Sequence, residues 1–234
     1  MSSNNNPNYD SLELSLLDSV ANSELSDIGT DIAEFGVDAA LDPGVLESLP
    51  VVGVLKKLHN LAKSVQNRLF LRKLLRFLME FDNVPFEDRQ KQILKLLDNQ
   101  EESKRVGESL LFLIARINHV DKPMMVARAF KAYLQESISP QQFESLTHAI
   151  DAVDVSALPT LLEIYEKPIN YGKQVSFDAD GHGYEQHLAI CGLLSIIFVE
   201  SGDEVIGGAV TGLTKNKLGR LFTSVILGGH PADR

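Results

Sequence analysis

Apolar positions recur at steps of three and four through most of this 234-residue chain, a period that predicts a mainly helical protein. The clearest stripe runs through Leu55, Leu58, Leu61, Ala62, Val65 and Leu69. It continues with a small rotation through Leu71, Leu74, Leu75, Leu78 and Phe81. One or two amphipathic helices over Leu49–Phe81 are expected. Pro50 stands where a helix can begin, and Asn83-Val84-Pro85 ends the segment because Pro85 biases Val84 away from helix.

Further helices are expected over 86–98, 101–117, 121–136, 139–153 and 157–166. In the second, Gly107 would let another helix approach closely, and early acids with a late Arg116 suit the helix dipole. Asp121 is the expected N-cap of the third, with Pro123 in its first turn. Ser139, Pro140 and Gln142 spell a start for the fourth: cap, first helical position and a glutamine at the third. The links are only a few residues long, so neighbours should pack antiparallel, as in a bundle.

The texture changes after Pro168. Residues 168–183 read as a Gly- and Asp-rich loop, 184–194 as helix, and 196–199 with 204–210 as short strands around Ser201-Gly202-Asp203. Residues 213–227 return to helix, with Lys215, Lys217 and Arg220 exposed. Helix, hairpin and closing helix are the layout of the end of a winged-helix module. The expected fold is therefore mainly α: an acidic, partly disordered arm (1–47), a helical bundle (48–167), a small α+β winged-helix-like module (168–228) and a tail (229–234).

Charge sharpens the picture of the arm. Ten of the 32 acids lie in residues 1–50, which hold no Lys or Arg, so the remaining 22 acids face all 22 bases in the body. Residues 1–10 should be disordered. Residues 11–41 alternate acids with apolar residues, and Leu25, Ile28, Ile32 and Phe35 share one helical face. Two readings stand: a solvated, partly folded arm, or an acidic amphipathic segment that binds a basic groove such as residues 51–76 of its own chain. The stretch before Met79 supplies that base-rich partner, with Lys56, Lys57, Lys63, Arg68, Arg72, Lys73 and Arg76 and no acid after Glu47. Arg68, Arg72 and Arg76, four apart, should project together.

A hydrophobic fraction of 44% is enough for a core. The longest apolar run, 190–199, is too short to span a bilayer. The N-terminus lacks the basic-then-apolar pattern of a secretory signal, so a cytoplasmic protein is expected. One cysteine, Cys191, excludes an intramolecular disulfide and a cysteine-based zinc site.

Two resemblances rest on particular residues. The stretch 46–78 has a Pro-apolar-apolar-Gly entry followed by Arg68-Leu69-Phe70-Leu71-Arg72-Lys73 and Arg76-Phe77-Leu78. It resembles the start of uncharacterised bacterial helical proteins found among phage-defence and mobile-element genes. The run FKAYLQESISPQQFESLTHAI is similar to the helical pairs of tellurite-resistance-type domains. Those domains can use clustered acids for metal, but no matching cluster exists here and no metal site is carried over. The tail from Gly192 to Phe222 resembles a winged helix. A setting in bacterial anti-phage defence is what the first resemblance implies.

Candidate chemistry is sparse. Ser176, Asp178, Asp180 and Gly181 fit positions one, three, five and six of a calcium loop, but His187 stands where the bidentate acid belongs. His182, Glu185 and His187 match no zinc-hydrolase spacing. Cys191 has His187 four residues earlier, within reach on a helix, yet its neighbours are apolar and a core role is favoured. No G-x-S-x-G, phosphate-binding loop or dinucleotide fingerprint is present. No cofactor and no enzymatic activity are expected.

Among binding functions, nucleic acid is disfavoured. The helix preceding the hairpin carries no Lys or Arg, although Lys215, Lys217 and Arg220 could contact phosphates. The expected function is non-enzymatic protein interaction or regulation, with a protein partner or self-association. The alternatives are a membrane-active effector using the basic helix 51–81 on an anionic surface, and a winged-helix DNA-binding protein.

Overall fold

The computed structural model describes residues 11–22, 65–167, 183–200 and 209–229. The protein is mainly helical, with a small two-stranded antiparallel sheet. It divides into two compact units, 1–137 and 138–234.

In the first unit, the described helices are α1 (Leu12–Asn22), α2 (Val65–Met79), α3 (Phe86–Leu97), α4 (Gln100–Arg116) and α5 (Lys122–Leu134). Leu71, Leu74, Leu75, Leu78 and Phe81 are all buried, as the sequence stripe requires, and Phe77, which the stripe left out, is buried with them. Phe77, Phe81 and Phe130 meet with ring centroids 5.5–6.3 Å apart and form the aromatic centre of the core. The start of the stripe behaves differently: Val65 is 75% exposed and Leu69 43%. Residues 51–64 lie outside the described residues. Asn99 caps α4 by accepting from the Glu102 N–H at 3.1 Å. Asp121 occupies the N-cap position of α5 without a side-chain bond to that helix; its carboxylate accepts instead from Arg76 at 2.6 Å.

α1 departs most from expectation. The sequence assigns residues 12–22 to a solvated arm or to a segment docked on 51–76. In the structure they pack against α3 and α4, and no residue of α1 is exposed. Leu16, Leu17 and Val20 are fully buried. Its acids, Glu13 and Asp18, disguise a helix whose apolar and serine positions take up most of its circumference. Ser15 and Ser19 are buried too, and each donates to the carbonyl four residues earlier. The expected face Leu25–Phe35 lies outside the described residues.

The second unit holds α6 (Pro140–Ala152), a 3-10 turn (Val155–Ala157), α7 (Leu158–Glu166), α8 (Tyr184–Ile190), β1 (Leu194–Glu200), β2 (Ala209–Lys215) and α9 (Lys217–Val225). The start of α6 is as read from sequence: a reciprocal box between Ser139 and Gln142, with Pro140 first in the helix. The hairpin is shifted. β1 begins at Leu194, and β2 runs to Lys215 rather than ending at 210, so residues 213–215 are strand and not helix. Asn216 then caps α9, its side chain accepting from the Gly219 N–H at 2.8 Å. The pairing register runs from Leu194 opposite Lys215 to Glu200 opposite Ala209.

Tyr165 ties this unit together. Its buried hydroxyl donates to Leu193 O at 2.7 Å and accepts from the Asn216 N–H at 3.0 Å, linking α7, the turn before β1 and the cap of α9. Burial pushes the phenol above its ordinary pKa. α9 can lie this close because residue 219 is glycine: a Cβ there would overlap Tyr165 Oη and Leu193 O.

Candidate interaction surface

The basic residues singled out by sequence are placed very differently from one another. Lys73 reaches from α2 to the end of α4, where its ammonium donates to Ala115 O at 2.8 Å and Ile117 O at 2.7 Å. Carbonyls in the last turn of a helix lack intrahelical partners and carry the negative end of its dipole, so a lysine there is a cap. Partial burial lowers the Lys73 pKa from its ordinary value. Arg76 is ion-paired with Asp121. Arg72 is half-buried and engaged in contacts of its own, and Arg68 is exposed. Lys56, Lys57 and Lys63 lie outside the described residues.

The second unit repeats the device. Lys215 donates to Lys167 O and, at 3.4 Å, to Tyr165 O at the end of α7, and it lies 5.8 Å from the Tyr165 ring centroid. It is half-buried rather than exposed. Arg220 is half-buried with contacts of its own, while Lys217 is exposed. Among the described residues, several of the sequence-predicted cations are committed to contacts within their own unit. Lys73, Arg76 and Lys215 hold helices together.

Arg89 of α3, which sequence reasoning passed over, is the most buried arginine described. Its Nη1 donates to Val20 O in the last turn of α1 and its Nε to Val84 O at 3.1 Å. Burial lowers its pKa, and Asp82 opposes that shift. Gln90 adds a 3.2 Å bond to the Asn22 side chain. The sequence signal was a lone arginine in an apolar arc shared with Ile93 and Leu96.

The cysteine–histidine pair does meet, with Cys191 Sγ 3.5 Å from His187 Nε2. That same nitrogen accepts from the Asp154 N–H at 2.8 Å. Its single lone pair is directed at a backbone amide, so it is poorly placed to take a thiol proton as a general base must. The geometry instead fixes α8 against the 3-10 turn. Among the described residues, no group of three or more His, Cys, Asp or Glu could hold a metal ion. Of the loop 176–187, only residues 183–187 are described.

Exposed large apolar side chains are the other surface feature. In the first unit they are Val65, Leu69, Phe86, Leu94 and Phe112; in the second, Ile190 at 82% and Ile196 at 53%. Phe112 is partly covered by Arg116, whose guanidinium lies 5.4 Å from its ring centroid. No described helix is long and apolar enough to cross a membrane. No protein-family model, curated protein or solved structure matches the chain.

Proposed function

We propose that this protein is non-enzymatic and acts through protein contacts, as a regulatory or interaction component. Its bacterial setting would be anti-phage defence, as the resemblance of residues 46–78 suggests. The observation that carries the reading is the use of the cations. A surface for phosphates or anionic lipid needs several bases turned to solvent together. Here Lys73, Arg76, Arg89 and Lys215 are committed to carbonyls or a carboxylate within their own unit. Exposed apolar side chains on both units, which protein contacts bury, add support.

The order α8, hairpin, α9 favours a winged-helix-like form for the second unit. In this reading the unit serves protein contact rather than DNA. α8 is only seven residues long and has neither Lys nor Arg. The membrane-active alternative would have to be carried by residues 51–70, since α2 buries its apolar stripe from Leu71 onward.

The test is cross-linking of the full chain in its native cells, followed by reconstitution of each partner found. A stoichiometric complex with a protein or with a second copy is expected. Recovery of nucleic acid alone would overturn the reading.

A further inference from the structure

We draw no further inference here: the strongest candidate, the exposed apolar start of α2 at Val65 and Leu69 beside Arg68, adjoins residues 23–64, which lie outside the described residues, and nothing in the structure shows what covers it.

Discussion

The Arg89 guanidinium donates to the carbonyl oxygen of Val20 at 2.9 Å, joining two helices 69 positions apart in sequence. Val20 lies in the last turn of α1, where carbonyls lack helical partners. The bond therefore satisfies an acceptor that burial would otherwise leave unmatched, and the helix dipole favours the charge there. Arg89→Met keeps most of the volume but removes both donors. We expect a loss of about 3 kcal/mol, the scale of a charge-assisted bond lost with its acceptor left buried. Urea unfolding of the first unit, followed by circular dichroism, measures it.

Gly107 and Gly219 are the two positions at which a single methyl should matter most. A Cβ at Gly107 would stand 2.8 Å from Glu13 O and 2.9 Å from Glu13 Cβ, so Gly107→Ala should push α1 off α4. At Gly219 the obstacles, Tyr165 Oη and Leu193 O, are held by the hydrogen bond between them. Gly219→Ala should cost roughly 3 kcal/mol, the upper end of ordinary overpacking, and Gly107→Ala somewhat less. Thermal melts of the two variants should rank in that order.

How much was legible in the sequence follows from the range of each interaction. α3 to α7 were readable to within two residues or so, because period and caps are local; Ser139 and Gln142 are three apart. β2 was misplaced because the boundary between strand and closing helix was set three residues too early. The Asn216 cap, which divides strand from helix, was overlooked. The cations were misread for another reason. Lys73 and Lys215 find their acceptors 42 to 50 positions away and Arg89 reaches one 69 positions away, and nothing local marks a lysine as a cap for a distant helix.

Replacing those capping lysines should therefore act on stability. Lys73→Met strips the donor from the end of α4, and Lys215→Met does the same for α7. Each should cost about 1 kcal/mol, the usual worth of a charge at a helix terminus. A denaturation series at low and high salt would check this. The Lys73 loss should shrink only slightly in salt, because its bonds are partly buried.

Tyr133 should make stability pH-dependent at high pH. Its phenol is pushed up to about 12, first by burial and then by the hydrogen bond it donates to Glu102. An unfolded tyrosine ionises near about 10. The Tyr133 contribution is therefore complete below about pH 10 and is lost as pH rises toward about 12, because the folded chain keeps a proton that the unfolded chain releases. Urea midpoints of wild type and Tyr133→Phe should converge across that window. Parallel curves would show that the phenol feels no such environment.

The central claim is that contacts with other proteins, rather than with phosphates or lipid headgroups, are what this surface is for. Co-sedimentation of the full chain with phosphatidylglycerol vesicles at low salt tests it most directly. The account predicts that the protein stays in the supernatant at about 50 mM salt, where electrostatic binding is strongest. Stoichiometric pelleting that is released by salt would contradict it.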